Sequence, residues 1–511
     1  MAAALSAALL PTAGASALTI DWTTVVNNGV LAPGSTTAEF FSYNQPSVND
    51  FGLVVFRARA RPDTGGGGGA PIRGIYVRDM GTAGSSIVAV AEVDDTVPQP
   101  NNLGAEFNEF PAFPRIDSGS SMIATRGQTT PVWEYTLPDL TETRVGTAGI
   151  FTTSTPLLGG ANLITGVNQL GAVPGFEEFS VPDAPAATKF DQFPGAASAS
   201  DGKYIAFKGN YQDGVGKTGV YFRDVTLADS PVIAIADTST DIPGGGGAKF
   251  GSTAPPSAAN GKMVFTGLDN EEAPTKGGIY LAPLQPNAPL TTLVSIGATE
   301  VPGQPGQTLN RVGEGLSFDG RYVAFWGAWG TETRSITLAC PTDGNAAAAC
   351  ALQYPTGFQT SVPVNQGIFR IDTQTGQLTL VAKTDPADPD GFDDFLYWTF
   401  SGAVEGGGGE GDAEPPRWRS SAFAALDGER VAFKGTKIDE SEVVGIYGLF
   451  GDAIRCSPCS TRRCWVRYSM TTPPLRPTSS PWVSSATASA MAGSRSTPAC
   501  YTLTRTSRRI R

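Results

Sequence analysis

The side chains best suited to chemistry in this sequence are carboxylates that recur beside prolines. Asp94 and Asp95 precede Pro98, Asp237 and Asp241 precede Pro243, Glu300 precedes Pro302, and Asp385 and Asp388 lie beside Pro389. Gathered at one place, such groups coordinate calcium, and Asp237, Asp241, Asp385 and Asp388 are the candidate ligands, although no EF-hand spacing is present. Two carboxylates at a fixed separation could instead do the acid/base work of glycoside hydrolysis. Asp before Pro is also an ordinary solvated turn former. Two tryptophans, Trp326 and Trp329, complete a candidate ligand-binding set with Asp95, Asp241, Glu300 and Asp388. No residue is assigned a catalytic role. The chain has no histidine, which removes Ser-His-Asp and Cys-His catalysis and imidazole-ligated zinc. The "GGGG" runs at Gly65, Gly244 and Gly406 lack the lysine context of a phosphate loop and read as loop tips.

Compartment and charge narrow the classes further. The N-terminal "MAAALSAALLPTAGASALTI" contains Ala15-Ser16-Ala17 after an apolar stretch, so residues 1–17 read as the remnant of a secretory signal. No apolar run is long enough to cross a bilayer as a helix. An exported location, periplasmic or extracellular, makes a local disulfide between Cys340 and Cys350 the expected state; two unrelated thiols are the alternative. All 48 acidic residues lie in 1–452 with 26 of the 36 basic ones, an excess of 22 acids. That balance argues against nucleic-acid binding, which needs a basic surface.

Residues 453–511 are a different text: ten Arg and no Asp, Glu or Lys, with Cys456, Cys459, Cys464 and Cys500. A basic binding tail, a zinc site on Cys456-x-x-Cys459 and translation out of frame are the three readings. The abrupt loss of acids and apolar periodicity favours the last, and predicts a disordered segment.

The elements that must position any site come from a repeat over 18–452. An apolar triplet recurs at Val54–Phe56, Met122–Ala124, Ile205–Phe207, Met263–Phe265, Val323–Phe325 and Val431–Phe433. Each is followed by Gly-aliphatic-aromatic at Gly74, Gly149, Gly219, Gly278, Gly367 and Gly445. A third apolar run and an aromatic segment complete most units, and Asp-Gly or Asn-Gly precedes four of the triplets. These are short β-branched and aromatic strands joined by hairpin turns. Six four-stranded meanders without a linker predict an all-β six-bladed propeller, with a pair of sandwiches as the alternative. The tail is about one repeat long, which would allow seven blades in an intact product. Thr23–Val26 reads as a fourth strand and is expected to complete the final sheet, pairing the two chain ends.

"SFDGRYVAFWG" (317–327) with "GIFRIDTQTGQLTLVA" (367–382) resembles the repeats of TolB-type and related WD-like propellers. The chain also resembles exported bacterial tandem-repeat proteins with "VAF…GIY" units. The resemblance implies the fold and carries no catalytic motif. The Trp-Ser-Pro that precedes the Asp-Gly pair in TolB repeats is missing. Meander geometry places the loops after the "VAF" strands, including Asn210–Lys217 and Trp326–Gln366, on one face with the blade-to-blade connections. Variable loops on a rigid scaffold are where binding resides. The leading expectation is a non-catalytic propeller binding a protein or glycan there, with no cofactor other than possible calcium. The second is a carboxylate-dependent enzyme, hydrolase or lyase, acting on polysaccharide on the same fold.

Overall fold

A computed structural model describes residues 23–62, 72–101, 104–130, 133–136, 140, 142–145, 148–160, 162–185, 188–342, 347–388, 391–401, 417–438, 444–450, 453–456 and 500–502. The signal remnant, the Gly65 and Gly406 runs, Cys459 and Cys464 lie outside these residues. Six antiparallel sheets follow one another along the chain. Each is built on the recurring second and third strands, such as Tyr204–Asp213 with Val215–Asp224 and Lys262–Leu268 with Gly277–Pro283. The chain is a β-propeller of six blades.

Alternation within each strand explains the packing. In the third blade Ile205, Phe207 and Tyr221 face the second blade, whereas Ala206, Val220 and Phe222 face Met263, Phe265 and Tyr280 of the fourth. Val264 and Ile279 meet Val323, Phe325 and Phe369 in the same way, and Ala324 and Ile368 meet Val431, Phe433 and Tyr447. The repeat therefore encodes two interfaces per sheet, with edge-to-face aromatic pairs such as Phe250–Tyr280 and Phe392–Tyr447 across the first and third strands. The glycine before the aliphatic-aromatic pair is required by a fourth-strand bulge. A Cβ at Gly74 would lie 2.6 Å from the Ala91 carbonyl oxygen, and one at Gly278 1.8 Å from that of Val294.

Polar latches link successive blades. The Oγ atoms of Ser47, Ser257 and Ser317 accept the backbone N–H groups of Ile116, Phe318 and Leu426 in the next blade, at 3.1, 3.2 and 3.2 Å. Asp117 and Asp319 accept Gly202 and Gly428 N–H groups, each at 2.8 Å. The Asp-Gly turns thus also join blades, with Gly202 and Gly428 donating and Asp319 accepting, and Asp201-Gly202 and Asn260-Gly261 adopt the positive φ that such a hairpin needs.

Three expectations change in detail. Asn210–Lys217 and Trp326–Gln366 are not loops: the first extends a hairpin that turns at Gly214. The second forms long strands, Tyr322–Leu338 and Phe358–Asp372, with a short helix, Ala347–Gln353, between them. The fourth strand of the last blade is Ala453–Cys456, so Thr23–Val26 does not complete that sheet. It pairs instead with Cys500–Thr502, still joining the two ends of the chain.

Candidate functional site

The first strand of most blades is broken in two, as in Ala38–Tyr43 and Ser47–Val48, Ser252–Thr253 and Ser257–Ala259, or Leu309–Val312 and Ser317–Phe318. The breaks carry Pro46, Pro255 and Pro256, or Gly313 and Gly315, residues that cannot continue a ladder or hold it rigid. These inner half-strands surround a central cavity of about 1660 Å³. A smaller hollow of about 350 Å³ between the third and fourth blades shares Ser252 and Glu271 with it and is lined by Asn210, Tyr211 and Lys217.

The cavity wall holds a few charges set among small and aromatic groups. Arg115 follows the break in the second blade. Its guanidinium has Ser198 Oγ at 3.4 Å and the Phe113 ring at 5.4 Å, with no salt bridge among the described residues, and burial pulls its pKa down to about 10. Glu314 sits in the break of the fifth blade. Burial raises its pKa, Lys208 opposes that shift and Glu271 adds to it, so two carboxylates repel one another at this end of the channel. Lys434 stacks on the Tyr397 ring at 4.0 Å, and burial lowers its pKa.

In the sixth blade the break in the first strand expands into a hairpin, Leu396–Ser401 paired with Arg417–Ala422. Tyr397 and Trp398 line the cavity from it, and the buried Trp398 Nε1–H has no hydrogen-bond partner. On the same hairpin Phe400 and Trp418 meet Tyr354 and Phe358 of the long arm of the fifth blade. Sequence reasoning passed over this hairpin because it interrupts an inner strand and has no counterpart in the other repeats. The aromatic density of "FLYWTF" was its only signal.

The residues singled out from the sequence are dispersed. Trp326 packs between the fifth and sixth blades, bordering the cavity, with Nε1–H donating to Gln366 Oε1 at 2.9 Å; Trp329 packs edge-on against Phe369. Asp95 accepts the Glu92 N–H at 2.7 Å. Asp241 pairs with Lys249 at 3.0 Å on the surface, and Glu300 is exposed. Asp237 accepts from Ser239 and Thr240, Asp385 pairs with Lys383 at 2.9 Å, and Asp388 is exposed. Among the described residues no three Cys, Asp or Glu side chains converge as a metal site. The backbone explains why proline recurs there: Ala32, Val97, Ile242 and Val301 are buried anchors that each close a small arch, as in Ile242 N–H to Ala248 O at 2.8 Å. Asp241 and Glu300 occupy the bridged position held by Leu31 and Thr96 in other blades, a position that does not demand a carboxylate. Cys340 and Cys350 form a disulfide, with Cα atoms 5.6 Å apart.

No family model matches the chain, and no curated protein matches it. Among solved structures it is similar to an acylaminoacyl peptidase of Pyrococcus horikoshii, at 10% identity over 86% of this chain and 47% of that one, TM-score 0.39. It is also similar to the β-propeller domain of the Trilobed protease from Pyrococcus furiosus, at 10% identity over 82% and 97%, TM-score 0.34. A family 117 glycoside hydrolase from Zobellia galactanivorans matches at 10% identity over 69% and 90%, TM-score 0.28. The chain spans about half the length of the first of these. Likenesses of this size assign no activity to it.

Proposed function

We propose that the chain is an exported propeller of the tandem-repeat kind that binds a glycan in its central channel. The observation that carries this reading is the hairpin of the sixth blade, which lines a roomy cavity with the aromatic side chains of Tyr397 and Trp398. Sugar rings offer an apolar face for aromatic stacking and hydroxyls that accept an N–H, and a few polar groups in a concave site fix their orientation. Arg115 adds an unpaired cation, which favours a carboxylate-bearing sugar over a neutral one. The raised pKa of Glu314 sets the pH dependence. Below that pKa the group is neutral, and above it the carboxylate repels an anionic ligand, so binding strengthens as the pH falls. Titration with neutral and uronate-containing oligosaccharides, followed by tryptophan fluorescence or calorimetry, tests the reading. Uronate binding that weakens at least tenfold in Trp398→Ala and loses its acid preference in Arg115→Gln supports it; undiminished binding by both variants refutes it.

A second reading rests on Glu314 and Glu271, whose mutual repulsion places two carboxylates at one end of the cavity, as glycoside hydrolysis requires. Release of new reducing ends from a polysaccharide, abolished in Glu314→Gln and Glu271→Gln, would establish catalysis. On the binding reading no reducing ends appear.

A further inference from the structure

Where blades one and two dock, an ion cluster holds charges that do not cancel. Glu109, at the end of the blade-two strand Glu106–Glu109, accepts from Arg57 Nη2 at 2.8 Å, Arg59 Nη2 at 3.2 Å and Arg73 Nη1 at 3.1 Å. Three guanidinium groups against one carboxylate leave two positive charges uncompensated, since none of the three arginines has a second acidic partner among the described residues. Ion pairs elsewhere balance or err towards acid: Lys203 meets Asp224, Arg321 meets Asp372, and Arg334 meets both Asp393 and Asp394. Burial, and then the charges of Arg57 and Arg73, lower the Arg59 pKa more than Glu109 raises it, as crowded like charges do.

The propeller fold does not ask for these charges. Arg59 and Arg73 stand directly opposite each other on the second and third strands, next to the Ala58–Gly74 pair. At the same place in each of the other five blades both partners are uncharged, as in Asn210–Thr218, Ala328–Gln366 and Thr436–Val444. Like charges directly opposite in a ladder are destabilising, so packing gives no reason for this pair. It is also reachable. The side chains of Arg59 and Arg73 are 40% and 35% exposed, and Arg57, at 14%, lies deeper. Arg59 and Arg73 each give one terminal nitrogen to Glu109 and keep the other for a further acceptor. Arg61 continues the same face of the strand over the Phe41 ring at 4.3 Å, but Glu39 stands opposite it in register, so its charge is left out of the excess. None of Arg57, Arg59 and Arg73 lines the central cavity.

We propose that Arg57, Arg59 and Arg73 form a second binding site, separate from the channel, for a dianionic phosphate or sulfate group. Guanidinium forks bind such oxyanions through paired, charge-assisted hydrogen bonds. Two uncompensated positive charges match a dianion. Glu109 holds the forks in place and repels any anion that approaches, so the site discriminates by ligand charge: a carboxylate or a sulfate monoester brings one negative charge and binds less tightly.

The test is calorimetric titration of the full chain with inorganic sulfate, inorganic phosphate and glucose 6-phosphate. Saturable binding should weaken at least about tenfold in Arg59→Gln and in Arg73→Gln, each of which removes one charge-assisted partner. It should tighten at least about tenfold in Glu109→Gln, where the opposing carboxylate is gone; a cluster with a purely structural role gives no such gain. The unfolding midpoint of Glu109→Gln supplies a second readout, since sulfate should raise it more than that of the wild type by mass action. A sugar phosphate loses its second charge between about pH 7 and about pH 5, whereas sulfate keeps both and Glu109, held below its ordinary pKa, stays ionised. Glucose 6-phosphate should therefore bind more weakly at the lower pH while sulfate does not. Tighter binding of glucose 6-phosphate than of inorganic phosphate assigns the group to an ester on a larger molecule, and equal binding assigns it to the free ion. No saturable binding of any of the three, binding unchanged in both arginine variants, or weaker binding in Glu109→Gln overturns the proposal.

Discussion

At the scale of single residues, charges matter here through what surrounds them rather than through their number. Glu109 accepts from Arg57, Arg59 and Arg73 of the neighbouring blade at 2.8, 3.2 and 3.1 Å. Burial pushes its pKa up, but Arg57 first, then the Phe110 N–H and Arg59, hold it below its ordinary value of 4.5. Glu109→Gln strands three guanidinium groups and is expected to cost about 2 kcal/mol in denaturant unfolding, less than for a fully buried pair because the cluster is partly solvated. The sign follows from linkage: a depressed carboxylate stabilises above its unfolded pKa and loses that contribution as the pH falls through the folded one. The gap between wild type and variant should therefore close as the pH drops below about 4; a gap that persists in acid would mean the cost comes from packing. None of this cluster was legible in the sequence, because Glu109 and its arginines are 36 to 52 residues apart and meet only when two blades dock.

At the scale of elements, the blade grammar was readable and the inner strand was not. The second and third strands carry consecutive apolar residues, mostly beside Asp-Gly or Asn-Gly turns, because both faces of these strands in the inner blades are buried against neighbours, so the signal is strong. The first strand breaks at proline or glycine and faces the channel, which relaxes its demand for apolar side chains. The channel-lining Glu314, Arg115 and Trp398 accordingly follow no period. The acids beside proline drew attention by recurrence, yet what recurs is the buried Val, Ile or Ala anchor of the arch. The glycine of each third strand gives a sharp test of the grammar. Gly278→Ala would force a Cβ onto the Val294 carbonyl at the fourth-strand bulge and is expected to cost about 3 kcal/mol or more. Chemical denaturation measures it, and a cost under about 0.5 kcal/mol, the range of a neutral surface change, would show that the bulge yields easily.

At the scale of the whole molecule, six consecutive sheets form the propeller around a central channel. The channel carries the proposed function, since Arg115, Glu314, Tyr397 and Trp398 line the same space. The most direct measurement is calorimetric titration of the intact chain with a uronate-containing oligosaccharide, beside Trp398→Ala and Arg115→Gln, at two pH values either side of the Glu314 transition. The account predicts saturable binding that is stronger at the lower pH, falls at least tenfold in Trp398→Ala and loses its preference for the acidic sugar in Arg115→Gln. Absence of binding, or binding indifferent to both substitutions, would contradict it.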